Sequence, residues 1–406
     1  MSDASHSNRR WFLRLGAAFG GALTACKQKA VVEEIEPSSL GKPISGYGER
    51  SQYEQAKRLL VPAGLGKNPE IGSTRTPLQD SYGIITPSSL HFERHHSGVP
   101  QIDPATHRLL IHGMVEQPLV LTMADIRRLP SVSRIHFVEC SGNGSTEWGE
   151  KNAPDAQRSH GMAACSEWTG VPLSILLAEA GVKPGASWLV AEGGDACRMA
   201  RSIPLKKAND DVLVAYGQNG EALRPEQGYP LRLIIPGWEG NTNVKWLRRI
   251  RLVAQPDMTK DETSKYTDLM PDGTARQFTF EVEAKSVITF PSGGQKLSGA
   301  GMYEITGLAW SGRGRVDRVE VSTDGGTSWQ NARIDEPRLR IAFSRFRLPW
   351  KWDGQPVTLQ SRCTDETGYV QPTREALIAA RGVNSNYHNN AIKIWKVAAD
   401  GAVSNV

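Results

Sequence analysis

The stretch Ser133-Arg-Ile-His-Phe-Val-Glu-Cys-Ser-Gly-Asn-Gly-Ser-Thr-Glu-Trp148 constrains this chain more than any other. Ile135, Phe137 and Val138 form a short β-prone run that ends at Glu139-Cys140, and Ser141-Gly142-Asn143-Gly144 follows at once. That order predicts a strand running into a tight loop, with a thiol at the junction. The glycines let the backbone come close to a bulky group and leave Cys140 unshielded by neighbouring side chains. A cysteine so placed is either a small buried hydrophobe or a thiolate ligand or nucleophile. The stretch alone does not choose between them.

Asn8-Arg9-Arg10-Trp11-Phe12-Leu13 carries a twin-arginine pair, followed by the apolar, Gly- and Ala-rich run from Leu15 to Ala25. The run is too short to span a bilayer, so residues 1–26 read as a cleavable export leader and the expected location is the periplasm. The twin-arginine route resembles the pathway that exports proteins already folded around a cofactor. Leu23-Thr24-Ala25-Cys26 also resembles a lipobox. A lipid anchor at Cys26 and plain cleavage to a soluble product both stay open.

At 406 residues the chain is long for one domain, and two are expected. Its 40 Gly and 24 Pro favour turns and strands over long helices. A net charge of +5, with no Lys/Arg block interleaved with aromatics, gives nucleic-acid binding no support. The five cysteines (Cys26, Cys140, Cys165, Cys197, Cys363) contain no CxxC pair. A zinc ribbon, a thioredoxin-type site and a c-type haem attachment are therefore not expected. If Cys26 goes with the leader and Cys140 binds a metal, three cysteines remain, which allows at most one disulfide.

Residues 27–84 are rich in turn formers and scattered charge, and read as an extended arm with a short helix near Ser51 to Leu60. Residues 85–256 read as an α+β domain. Its expected elements are a strand at Leu109 to Ile111, a capping box at Thr122 to Asp125, and a helix from Leu173 to Ala180 between Pro172 and Gly181. Further strands are expected at Trp188 to Ala191, Val212 to Tyr216, Leu231 to Ile235 and Lys245 to Val253. Residues 257–279 read as an aperiodic connecting segment. Residues 280–406 read as strands only: Tyr303 to Leu308, Val316 to Ser322, Ser328 to Ile334, Phe343 to Leu348 and Val357 to Cys363. That spacing predicts an all-β sandwich of immunoglobulin-like size.

Several of these stretches resemble the sulfite oxidase family of molybdenum enzymes. Val138-Glu-Cys-Ser-Gly-Asn143 is similar to the family's cysteine loop, and Phe92-Glu-Arg-His-His96 to its Phe-x-Arg-Asn-His segment. Tyr229 to Gly237 and Asn243 to Leu247 resemble its cofactor-binding strand and loop. Val319 to Gly326, Asp365 to Pro372 and Arg381 to Asn386 resemble its dimerisation domain. The motifs run in family order from about residue 85 to the C-terminus. The resemblance implies a sulfite oxidase-like molybdopterin domain before the sandwich, with Cys140 as the protein thiolate on molybdenum. It implies that Phe92, Glu93, Arg94, His95, His96, Asp195, Gln227, Arg232, Asn243, Val244 and Lys245 hold the molybdenum–molybdopterin cofactor. Tyr266 falls where the family has its active-site tyrosine. Arg94 and Arg381 match its substrate-facing arginines, Arg381 reaching in from the second domain.

The departures carry information too. The animal enzymes follow this cysteine motif with two arginines, where this chain has Gly144 and Ser145; Gln227 replaces a pterin-contacting histidine. With no haem in the chain, the resemblance is strongest to the molybdenum subunit of the sulfur dehydrogenase of thiosulfate-oxidising bacteria. That implies oxo transfer to a sulfane sulfur held on a sulfur carrier protein, electron delivery to a c-type cytochrome subunit, and a homodimer through the second domain. Free sulfite is the alternative substrate. From other classes, a non-enzymatic binding protein with an inert Cys140 and a zinc hydrolase using His95, His96, His107 and His112 also stand.

Overall fold

The computed structural model describes residues 41–63, 68–149, 153–383 and 387–406. The leader and Cys26 lie outside them. Residues 41–55 contain no strand or helix.

From Ala56 onward, β1 (Leu59–Ala63), β2 (Asn68–Arg75) and β3 (Arg94–His95) form a small antiparallel sheet. The expected helix at Ser51 to Leu60 is absent. Leu59, Leu60 and Val61 pair with β2 instead, because a helix this short has too few turns to be stable unless it buries an apolar face. This hairpin also replaces part of the expected arm. Its last strand holds Arg94 opposite Ser73.

Then come β4 (Leu109–Gly113), β5 (Leu119–Leu121) and α1 (Met123–Arg127). Thr122 caps α1 by accepting from the Asp125 amide at 3.1 Å, while Asp125 returns a bond to the Thr122 amide at 3.0 Å. β6 (Val132–Glu139), α2 (Ala156–His160), β7 (Ala163–Pro172) and α3 (Leu173–Ala180) follow. Next are β8 (Trp188–Gly193), β9 (Ala200–Pro204), α4 (Leu205–Asp210), β10 (Leu213–Gln218), β11 (Glu221–Ala222), β12 (Arg232–Ile234) and β13 (Leu247–Val253). Two sheets result, ordered β11-β10-β7-β6 (β12 also on β10) and β5-β4-β13-β8-β9. Among the described residues of this half only β13 and β4 pair in parallel. One apolar core lies between α1, α3 and the sheets around Leu109, Leu173, Leu189 and Ile250.

The connecting segment is more ordered than its composition suggested. It holds α5 (Lys260–Ser264) and the small pair β14 (Asp268–Leu269) and β15 (Ala275–Arg276). Thr259 and Glu262 form a capping box at α5, and Glu262 is buried against β9, where it accepts from Ser202 Oγ at 3.0 Å.

The last part is a two-sheet sandwich. One sheet is β16 (Lys285–Phe290), β17 (Gly301–Trp310), β21 (Ser344–Trp352) and β20 (Arg333–Ile334). The other runs β19 (Gln330–Asn331), β18 (Val316–Ser322), β22 (Val357–Asp365), β23 (Ile394–Val397) and β24 (Val403–Asn405). The strand expected from Ser328 to Ile334 is divided between the two sheets. The domain also holds a helix, α6 (Arg374–Arg381), started by Thr373 accepting from the Ala376 amide at 3.3 Å. The sandwich core does not stop at its own strands: Phe137 of β6 stacks on Phe343 at 6.3 Å, and Cys165 of β7 lies in the same cluster.

Candidate active site

Pleating decides what β6 presents. Val138 and Cys140 fall on one side and line a cavity, while Phe137 and Glu139 face the sandwich. The loop after Cys140 is tightly held. The Cys140 amide donates to Met162 O at 3.0 Å, and the Asn143 amide returns to Cys140 O at 2.8 Å. Gly240 lies so close that a Cβ there would stand 2.9 Å from Glu139 O. Cys140 is half-buried. Burial raises its thiol pKa, opposed by the Gly142 backbone donor and by Arg94 and Arg75 nearby. At Cys165 only one backbone bond opposes burial, and the thiol is pushed up to about 12. All four described cysteines are free.

The Phe92 to His96 segment lines the same cavity and is tied to Lys245. His95 shares one ring bond with Glu93 at 2.5 Å and the other with Lys245 Nζ at 3.0 Å. Lys245 Nζ also donates to Arg94 O and Glu226 O, both at 3.1 Å. Arg232 donates to Gln227 Oε1 at 2.9 Å and lies over Trp168, and Gln227 Nε2 donates to Phe92 O at 2.9 Å. Tyr266 OH is 3.4 Å from His96 Nε2. Burial, assisted by Arg94 and Lys265, lowers the His96 pKa to about 4, and burial raises that of Tyr266 above its usual range. Near neutral pH both are uncharged.

Phe92, Glu93, Arg94, His95, His96, Asp195, Gln227, Arg232, Asn243, Val244, Lys245, Tyr266 and Cys140 all line this one cavity. Asn243 does so with its side chain already engaged: Oδ1 accepts from the Ile235 amide at 2.8 Å, and Nδ2 donates to Glu239 O at 3.1 Å. It shapes the turn and leaves direct contact to its neighbours.

Arg381 is placed elsewhere. It ion-pairs with Glu283 at 3.3 Å and Asp268 at 3.6 Å, and lines a second, smaller cavity that Cys140 also touches. The two acids hold it in that smaller cavity beside Cys140, outside the lining of the larger one. Ser145 does not line the larger cavity either. The four histidines of the zinc reading are scattered: His107 bonds Leu247 O, and His112 lies on β4. Among the described residues no group of three or more His, Cys, Asp or Glu side chains could hold a metal ion.

Residues the sequence left unmarked complete the surroundings. Arg75, at the end of β2, is close enough to influence Cys140 electrostatically. Among the described residues neither Arg75 nor Arg94 has a carboxylate partner. Arg201, fully buried, ion-pairs with Glu239 at 3.4 Å and Glu262 at 3.5 Å and lies over the Tyr266 ring. No local pattern in Met199-Ala-Arg-Ser-Ile203 marks it out; its partners lie far along the chain.

Two family models match in succession: the oxidoreductase molybdopterin binding domain over residues 96–260 and the Mo-co oxidoreductase dimerisation domain over residues 276–395. The solved sulfane dehydrogenase SoxCD from Paracoccus pantotrophus is 50% identical, with a TM-score of 0.89, over 92% of this chain and 97% of that one. The chain belongs to the sulfite oxidase family of molybdenum oxidoreductases. Human mitochondrial sulfite oxidase is 32% identical over 74% of this chain, and an NADH nitrate reductase of Ulva prolifera 33% identical over 61%. The chain spans 60% of the length of the human enzyme and 32% of the algal one.

Family membership makes the cofactor molybdenum–molybdopterin, and the cavity's donors fit it. Arg232 and Lys245 have no carboxylate within ion-pair distance among the described residues. Burial lowers their pKa values to about 9 and about 7. Two partly or wholly buried cations without a counter-ion call for an anion, and the pterin phosphate is one. Asp195 Oδ1 is a buried acceptor with no hydrogen-bond partner, suited to the N–H groups of a pterin. Cys140, a free thiol in the lining, would supply the soft thiolate such a metal takes.

Proposed function

We propose that this chain is an exported molybdenum sulfur dehydrogenase. It oxidises a sulfane sulfur carried on a partner protein and passes electrons to a c-type cytochrome subunit. The observation that carries the substrate choice is that Arg381, paired with Asp268 and Glu283, lines only the smaller cavity and Ser145 lines neither. Arg94 is left as the one arginine of the expected pair lining the larger cavity beside Cys140. Free sulfite is best captured by several fixed cations, each charge-assisted bond contributing about 1.5–3 kcal/mol. A tethered sulfur is brought in by its carrier and needs fewer. The likeness to a sulfane dehydrogenase along nearly the whole chain supports the same reading.

When bound, the molybdenum centre supplies two-electron oxygen-atom transfer to reduced sulfur. The chain's own groups do the rest. Arg94 orients the developing oxyanion. Tyr266, uncharged, donates from its hydroxyl, and the neutral His96 ring can take up a proton through Tyr266. Export by the twin-arginine leader places the enzyme in the periplasm, and residues 280–406 pair it into a homodimer.

A second reading, oxidation of free sulfite, is favoured by one observation: Arg75 adds a cation near Cys140 that has no acidic partner among the described residues. The purified holoprotein decides the class. About one molybdenum per chain is expected, with reduction of a c-type cytochrome by reduced sulfur that Cys140→Ser abolishes. A chain without molybdenum that still binds a partner would leave only the binding-protein reading standing.

A further inference from the structure

Glu139 sits next to the thiol, and its side chain points away from the cavity and is 2% exposed. The sandwich holds its carboxylate: Lys285 Nζ donates to Oε1 at 2.5 Å and Trp310 Nε1 to Oε2 at 2.6 Å. Oε1 also accepts from Asn143 Nδ2 at 2.8 Å. Asn143 Oδ1 accepts from the Met162 amide at 3.0 Å, and Met162 O accepts from the Cys140 amide at 3.0 Å. A continuous run of hydrogen bonds therefore leads from the sandwich to the Cys140 backbone. Lys285 is 3% exposed and Trp310 0%, so water does not compete for these bonds. Lys285, Trp310, Glu139, Asn143 and Met162 all lie outside the lining of the larger cavity, while Glu139 and Lys285 line the smaller one with Cys140 and Arg381.

We propose that Lys285 and Trp310 are positioning residues for the metal-bearing thiolate, acting through Glu139 and Asn143. The sandwich is then part of the metal centre's support as well as a pairing module. The inference rests on the reading of Cys140 as the molybdenum ligand. Two physical effects follow from the geometry. Lys285 offsets a carboxylate one residue from the thiolate, which would otherwise add negative charge beside the metal. The paired bonds to both carboxylate oxygens also fix Glu139, and with it the Asn143 side chain that closes the loop.

The test uses the holoenzyme and reads the thiolate-to-molybdenum absorption band, molybdenum content and steady-state kinetics. Trp310→Phe removes the N–H together with the five-membered ring of the indole, a loss of volume that the control below matches. Its band should shift and its kcat fall by about tenfold, with KM changed by less than about twofold. Lys285→Met should shift the band further or lose molybdenum, and Lys285→Arg should restore both toward wild type. Trp395→Phe is the control. Trp395 is an equally buried indole in the same sandwich, and its N–H bonds Ile288 O at 3.1 Å, so the band should not move. If Lys285→Met fails to fold, Trp310→Phe decides alone. Wild-type band and kcat in Trp310→Phe, and in Lys285→Met where it folds, with full molybdenum, overturn the positioning role. A wild-type chain with neither molybdenum nor band contradicts the proposed function itself.

Discussion

At the residue scale the proposed chemistry rests on Cys140 and on the cations Arg232 and Lys245, which line the same cavity. Cys140→Ser should keep the fold and lose both turnover and the thiolate band, because a hydroxyl is a harder, less readily ionised ligand. Wild-type absorption in that variant would contradict the assignment. Lys245 permits a prediction with a sign. Its pKa falls to about 7 in the folded, cofactor-free chain, against about 10.4 unfolded. Between those values the unfolded chain binds more protons, so stability rises with pH across that window and the penalty is full below it. Lys245→Met should therefore stabilise the cofactor-free chain at pH 7 by the order of 1 kcal/mol, an advantage that shrinks toward pH 10. The same substitution should prevent cofactor loading; denaturation at several pH values and molybdenum analysis check the two halves. The cysteine and the Phe92 to His96 segment were legible because each is a local motif. Arg75 and Arg201 were not, because long-range contacts give them their roles. The ion pairs of Arg381 were hidden for the same reason: Asp268 and Glu283 lie far from it in sequence.

At the scale of elements, legibility followed pattern. The helix α3 starts and stops where Pro172 and Gly181 indicated, and β18 runs from Val316 to Ser322 as expected. The strand β7 went unseen because it is buried on both faces through most of its length and shows no alternation. The helix α6 went unseen among strands, although Thr373 was available as a cap. Where the sandwich meets the cofactor-binding half, two backbones touch at glycines. A Cβ on Gly312 would stand 2.0 Å from Gly237 O, and one on Gly237 2.2 Å from Gly312 O, with Gly237 already at φ 78°. Gly312→Ala should force these loops apart at a cost of about 1–3 kcal/mol. A lowered Tm together with reduced molybdenum content is the expected outcome, and an unchanged Tm would show that the contact yields freely.

The whole molecule is argued to be a partner-dependent enzyme. The sandwich should pair two copies, and sedimentation at micromolar concentration should give the mass of a dimer; monomer alone, with or without the partner, would remove that claim. Dimerisation and partner choice depend on surfaces, which carry no periodic signal in a single sequence. Introducing the missing charge, Ser145→Arg, should do little for sulfite capture, because position 145 does not line the cavity. The measurement that bears most directly on the central claim is the ratio of kcat/KM for a carrier-bound sulfane sulfur to that for free sulfite, with a c-type cytochrome as acceptor. The native holoenzyme should favour the carrier-bound substrate by at least about tenfold, the worth of roughly one charge-assisted bond that the cavity lacks for the free anion. Equal or better efficiency on free sulfite would contradict the account and make the chain a sulfite dehydrogenase.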